Sequence, residues 1–223
     1  MGKIIFITGT DTGVGKTLLT GLLLCHLRQT GIHALAVKPF CSGGRADAEL
    51  LYQLQDGEID LSEVNRFHFK RAVAPGVLAE SNKIALGRVV EALEKTAHKC
   101  ECLLVEGIGG LMVPLGKNFF VRDLIGRLEC EVLVVSRNQL GTLNHTILTV
   151  QSLKQAGILR QKVVLMGQQK RDFSAQFNEI FLRKALAPIG VMAVRFLGAG
   201  AGDFGVIRGV ANKSKKVLAR LVG

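Results

Sequence analysis

The 223-residue chain has no apolar run long enough to span a bilayer, so no membrane-embedded role is expected. It opens Met-Gly-Lys-Ile-Ile-Phe and enters a core-like run at once. A charged region, an apolar region and a cleavage site do not follow one another there, so no export signal is read and a cytoplasmic location is expected. The sixth position is Phe6 rather than Ser or Thr, which argues against N-myristoylation. Cysteines are few, odd in number and scattered; Cys100 and Cys102 make C-x-C, not C-x-x-C. Reduced thiols are the expectation. His26, His33, His68, His98 and His145 show no metal-ligand spacing. Tryptophan is absent, tyrosine occurs once, and the basic residues carry no interleaved aromatics. No helix-turn-helix, zinc or RNA-binding signature is present, so nucleic acid is not an expected partner.

What is present is apolar and unevenly charged. Hydrophobic residues make up 48% of the chain, enough for the sizeable core of one globular domain over residues 1–223. The net charge is +11; from Arg160 onward 12 Lys/Arg oppose 3 Asp/Glu, a net +9, which leaves +2 for the first 159 residues. A solvated basic face that helps to steer an anionic nucleotide is the expectation.

Apolar, β-rich runs alternate with amphipathic stretches. Residues 3–8, 34–38, 102–106, 131–136, 162–166 and 190–195 read as strands. Residues 17–30, 46–55, 83–99, 119–127, 143–156, 173–186 and 213–221 read as helices. Short apolar strands between helices predict an α/β fold, a mostly parallel central sheet with helices on both faces. No internal repeat or low-complexity linker interrupts it. Ligand sites in such folds gather beyond the carboxyl ends of the strands. Four polar, glycine-rich segments fall there: residues 8–17, 38–47, 106–110 and 138–144.

The first segment, ITGTDTGVGKT, has the working end of a P-loop. Its glycines let backbone N–H groups turn inward around phosphate oxygens, and the following helix offers its positive N-terminus. Lys16 would neutralise β- and γ-phosphate charge, and the Thr17 hydroxyl would meet Mg²⁺. The spacing departs from G-x-x-x-x-G-K-[ST]: Gly9 and Gly15 are separated by five residues. Lys38, held by Pro39 at the end of the second strand, points an ammonium toward the same rim. Asp47 opens a helix. Glu106 follows Leu103-Leu104-Val105 as a carboxylate ending a hydrophobic strand, the Walker-B pattern. Thr17, Asp47 and Glu106 together form the expected Mg²⁺ site.

In order along the chain, GTDTGVGKT, KPFCSGG, DAELL, VEGIGGLMVPL and LGTLNHTILTVQSLKQAGI resemble the successive motifs of the dethiobiotin synthetases. The resemblance spans residues 3–158, includes the five-residue loop spacing, and weakens beyond Gly157. It implies a homodimeric, ATP- and Mg²⁺-dependent carboxylase acting on 7,8-diaminononanoate and CO₂ or bicarbonate. One amine would be carboxylated to a carbamate, the γ-phosphate would activate it as a carbamic–phosphoric anhydride, and the second amine would close the ring to dethiobiotin. The family's motifs place nucleotide contacts at Thr12, Gly13, Val14, Gly15, Lys16, Thr17 and Leu18, then at Asp47, Glu106, Gly107, Ile108 and Gly109. They place substrate contacts at Thr12, Lys38 and Ser42, and across the dimer at Gly141, Thr142, Leu143 and Asn144. Lys38, Lys16 and Thr12 are the implied catalytic residues.

The chain departs from the family at three places. Many relatives have Asn, reading adenine, where this chain has Met166. Their usual Ile-Pro pair is Met192-Ala193 here, and some carry an acid at Gly13. Two other readings share the P-loop. A cobyrinic-acid-type amide synthase needs an additional glutaminase domain with a nucleophilic cysteine, for which this chain has no room. A partitioning-type ATPase would favour a second lysine within the loop, which is missing.

Overall fold

The computed structural model describes residues 2–170, 172–195 and 204–223; Arg171, one of the C-terminal basic residues, lies outside them. Strand β1 (Lys3–Gly9) runs KIIFITG and buries Ile4, Phe6, Ile5 and Ile7 in alternation on its two sides, as a parallel strand covered on both faces requires. Helix α1 (Lys16–Gln29) and strand β2 (Ala34–Val37) follow, then β3 (Phe40–Ser42), α2 (Ala46–Leu54), α3 (Leu61–Val64), β4 (Phe67–Phe69), α4 (Leu86–Ala97) and β5 (Cys102–Gly110). A small antiparallel pair, β6 (Pro114–Gly116) and β7 (Phe119–Phe120), leads into α5 (Val121–Arg127) and β8 (Cys130–Arg137). The chain continues through α6 (Thr142–Gln155), β9 (Gln161–Met166), α7 (Ala175–Ala185), β10 (Gly190–Val194), α8 (Phe204–Lys213) and α9 (Lys215–Val222).

Six strands pair in parallel in the order β10-β9-β8-β1-β5-β2. The order reverses at β1. From there the chain steps outward to β2, returns to β5, and crosses to β8. Such a reversal opens a crevice at the carboxyl ends of the central strands, and ligands bind there. Helices α1, α2, α8 and α9 pack against one another. The steps β8→β9→β10 run opposite to β1→β2, so right-handed crossovers place α6 and α7 on the other face of the sheet. Leu22, Leu23, Leu24, Leu103, Leu104, Val134 and Val164 are all fully buried where these layers meet the sheet. Among the described residues no helix is long and apolar enough to cross a membrane.

The six expected strands and seven expected helices are found, with shifts at their ends. The helix expected over 83–99 starts at Leu86, because Ala79–Lys83 is a separate 3₁₀ turn. The helix expected from residue 119 gives its first two residues to β7. A helix not expected from the sequence, α8, precedes α9 and packs on α1. The largest difference concerns Glu106. It does not end its strand: Ile7 pairs with Glu106, and the ladder continues past an irregularity to Gly9 opposite Gly110. Residues 106–110, expected as a loop, are thus the outer half of β5, and the Glu106 carboxylate is held within the sheet.

Candidate active site

The loop between β1 and α1 is built on glycine where the backbone must turn left-handed: Gly13 has φ 69° and Gly15 φ 101°. Such angles strain any residue with a side chain. At Gly15, which precedes α1, a Cβ would also come within 3.1 Å of Met166 Cγ. Thr12, exposed at the loop crest, takes the Asp11 carboxylate on its backbone N–H at 2.6 Å. Val14 is buried under the loop and Leu18 packs half-buried on the core.

Lys16 folds back beneath this loop. It is buried, and its ammonium donates to the carbonyls of Asp11 at 2.8 Å and Gly109 at 2.7 Å. That second bond joins the loop to the end of β5, where Gly107 and Ile108 carry the strand up from Glu106. Burial, then the nearby charge of Lys38, lowers the Lys16 pKa to about 8. An anionic phosphate beside it would reverse that shift.

Four further groups lock together beside it. Glu106 is fully buried, and its Oε1 accepts from Thr17 Oγ1 at 2.7 Å and from Lys38 Nζ at 2.5 Å. Lys38 Nζ also pairs with Asp47 Oδ2 at 3.0 Å. Burial works against the Lys38 charge, but Glu106 and then Asp47 outweigh it and raise its pKa, so the ammonium stays charged at neutral pH. The strand end carrying Lys38 is pinned by Asn65, whose amide donates to the carbonyls of Lys38 at 2.9 Å and Pro39 at 3.3 Å. Two buried oxygens, Glu106 Oε2 and Ser42 Oγ, have no partner among the described residues. Leaving them so costs stability, and a cation at the first and a substrate group at the second would satisfy them. Thr17, Asp47 and Glu106 therefore fit Mg²⁺: two carboxylates and a hydroxyl suit an ion that keeps waters and binds phosphate oxygens. Lys38, not foreseen as their connection, holds the two carboxylates together.

At the other end of the rim, α6 begins after Gly141. Thr142 is buried, 2.5 Å from Ser136 Oγ at the end of β8, and Ser136 in turn lies 3.2 Å from Thr10 Oγ1 of the phosphate loop. Leu143 packs on the core, while Gly141 and Asn144 face solvent. This segment shares the rim with the loop but does not reach Lys38, which lies three strand spacings away, roughly 14 Å. Sequence reading missed Ser136, Thr10 and Asn65, because a small polar residue at a strand end gives no signal until the fold shows what it touches. The cysteines are all free and buried. Burial pushes the thiol of Cys41, beside Ser42, up to about 11, which makes it unsuitable as a nucleophile.

An open cleft of about 670 Å³ lies beyond the carboxyl ends of β9 and β10, lined by Asn138, Gly167, Gln168, Glu179, Ala193 and Arg195 among others. Met166 does not line it; its side chain is buried and turned against Gly15.

The model of an AAA domain family matches residues 3–197. The chain is 41% identical over 228 residues to the ATP-dependent dethiobiotin synthetase BioD of an Anaeromyxobacter species, covering 98% of this chain and 97% of that one. It is 40% identical over 176 residues to the protein of the same name from Bacillus licheniformis, covering 76% of this chain and 75% of that one. Among solved structures, a ParA family ATPase from Chlorobium tepidum superposes with TM-score 0.63 at 15% identity, covering 100% of this chain and 97% of that one. MinD in its complex with MinC from Aquifex aeolicus gives 0.62 at 14% identity, with 100% and 96% covered. Those two likenesses speak to the fold alone, which is that of the P-loop ATPases. The sequence relatives go further: the chain belongs to the ATP-dependent dethiobiotin synthetase family of the P-loop NTPase superfamily.

Proposed function

We propose that the protein carboxylates 7,8-diaminononanoate and closes the ring to dethiobiotin, using ATP. The observation that carries this is the meeting of Thr17, Lys38, Asp47 and Glu106 at one point of the rim, around the buried Glu106 and Lys38, with the buried Lys16 ammonium beside them under the loop. A carbamate and a γ-phosphate are both anionic and must be brought into contact, so the site needs fixed cations in a place shielded from water. Lys16 supplies one at the phosphate loop and Lys38 the other. The raised pKa of Lys38 keeps it charged next to a substrate amine, and that charge favours the neutral amine that can attack CO₂. The resulting carbamate oxygen attacks the γ-phosphorus, ADP leaves, and a carbamic–phosphoric anhydride forms. The second amine then attacks the anhydride carbonyl, phosphate leaves, and the cyclic urea closes. Thr12 and the Ser42 hydroxyl would donate to the carbamate, a role supported by the lack of a partner for Ser42 Oγ among the described residues. Mg²⁺, held by Thr17, Asp47 and Glu106, would neutralise charge on the phosphates.

The direct test is to incubate the protein with the diamine, bicarbonate, Mg²⁺ and each nucleoside triphosphate, and to look for dethiobiotin by mass. Its absence with every nucleotide, from folded protein, would refute the proposal. The two competing readings gain nothing from the geometry. The buried cysteines exclude a thiol nucleophile here, and the loop has no second lysine.

The metal assignment predicts that Asp47→Asn and Glu106→Gln each shift the Mg²⁺ dependence of phosphate release to higher concentration. Glu106→Gln should do more. It also strips the buried Lys38 of its main partner, at a cost of about 3–5 kcal/mol, so thermal unfolding of that variant should begin at lower temperature. Wild-type Mg²⁺ curves for both variants would remove these residues from the metal site.

Base discrimination should be shallow. Steep selectivity needs buried groups that hydrogen-bond the base. Met166 offers none and is spent packing on Gly15. Values of kcat/KM for ATP, CTP and GTP should fall within about a hundredfold of one another. A preference on the order of a thousandfold would mean that a polar group of the neighbouring cleft reads the base.

A further inference from the structure

Arg137 is the last residue of β8, exposed, and outside every motif of the sequence. Its guanidinium reaches back to the phosphate loop and donates twice to one acceptor, the Gly13 carbonyl, from Nε at 3.1 Å and Nη2 at 3.0 Å. The guanidinium lies close over Gly13: a Cβ there would come 2.8 Å from Arg137 Nη2 and displace this side chain.

We propose that Arg137 is a positioning residue for the nucleotide, acting through the peptide that joins Gly13 to Val14. That peptide is planar and trans, so its carbonyl and its N–H point in opposite directions. Pinning the Gly13 oxygen outward aims the Val14 N–H inward, into the space where the loop receives phosphate oxygens. Gly13 is the hinge that makes the clamp necessary. At φ 69° it adopts an angle that glycine takes about as readily as its mirror image, and with no Cβ it restricts rotation about its own Cα–C bond, which turns this peptide, less than any other residue would. A forked guanidinium fixes the orientation of an acceptor better than a single rotating ammonium does. The glycine is thus not only an opening for phosphate. It also makes room for an arginine delivered by a strand 124 positions further on.

This rests on the phosphate-loop reading, and the experiment separates the two. A fluorescent N-methylanthraniloyl ATP is titrated with Mg²⁺ into wild type, Arg137→Ala, Arg137→Lys and Lys16→Ala, and the unfolding temperature of each free protein is recorded. Arg137→Ala should weaken binding roughly tenfold, the scale of losing hydrogen bonds from a charged group, with the unfolding temperature of the free protein unchanged. Arg137→Lys keeps the charge but not the fork and should stay close to the alanine variant. Lys16→Ala should bind far more weakly than either. If Arg137→Ala binds like wild type while Lys16→Ala does not, the clamp is wrong and the loop stands. Full recovery in Arg137→Lys also overturns the clamp, since charge alone would then suffice. Wild-type binding by Lys16→Ala overturns the loop reading itself. Should the alanine variant unfold early, the lysine variant decides by the same two outcomes.

Discussion

Lys16→Ala will reduce phosphate release by about a thousandfold or more, the scale seen when a preorganised group facing transition-state charge is removed. The fold should survive the change. Lys16 is buried, and burial together with the nearby Lys38 charge lowers its pKa to about 8, so its charge is not favoured by its protein surroundings. Its two backbone contacts, to Asp11 and Gly109, are small beside the apolar core under the loop. The other cations described beside the loop are engaged elsewhere. Lys38 is occupied by Glu106 and Asp47, and Arg137 is turned onto the Gly13 carbonyl. Steady-state phosphate release, with circular dichroism and thermal unfolding as controls, reads both halves of the prediction. Unchanged turnover in a folded variant would show that the glycine-rich loop serves some other purpose.

Mixing two inactive variants should restore activity. Residues 141–144 of a second subunit are proposed to hold the substrate carboxylate, as the resemblance to the family implies. The structure leaves Gly141 and Asn144 of that segment on the molecular surface at the start of α6, with Leu140 and Leu148 exposed beside them at 80% and 56%. Apolar side chains exposed around a helix start are what an interface would cover. Orphan N–H groups of the first helical turn suit a carboxylate. Lys38→Ala disables the phosphate end of a site, and Gly141→Glu repels the carboxylate at the other. Each homodimer should be nearly inactive. Unfolded together and refolded at equal concentration, half of the dimers will be mixed. Each mixed dimer then carries one site with both defects and one with neither. Activity should return to about a quarter of wild type, by the statistics of random pairing in a two-fold dimer. Mixtures that stay inactive although mixed dimers are isolated would mean that each chain completes its own site.

The motif residues were legible in the sequence because each is a chemical type that phosphate or Mg²⁺ requires at a fixed step from a strand. Gly13, Gly15, Lys16 and Thr17 sit within five consecutive positions, where local backbone geometry alone makes a cradle. The alternation of apolar and amphipathic runs likewise marked six strands and the helices between them, since burial on both faces of a sheet leaves a compositional trace. Misplaced boundaries fell where a partner outvotes the segment's own pattern. Residues 106–110 are rich in glycine and read as a loop, yet they continue β5 because β1 lies alongside and pairs with them to Gly110. Helix α8 was missed because its support is α1, far away in sequence.

The sequence by itself determined the fold class and the family, and it marked the side chains proposed to meet the phosphates, since all of these readings follow from short patterns and local periodicity. Only the tertiary structure decided how those side chains are held. Lys38 and Glu106 are 68 positions apart and form one buried pair. Arg137 and Gly13 are 124 apart and form the loop's clamp. Met166 stays out of the cleft beyond β9 and β10 because its side chain packs beneath Gly15. Hydrogen bonds and ion pairs act over about 3 Å. Which residues come within that distance depends on the order in which strands join the sheet, and no local run of residues encodes that order.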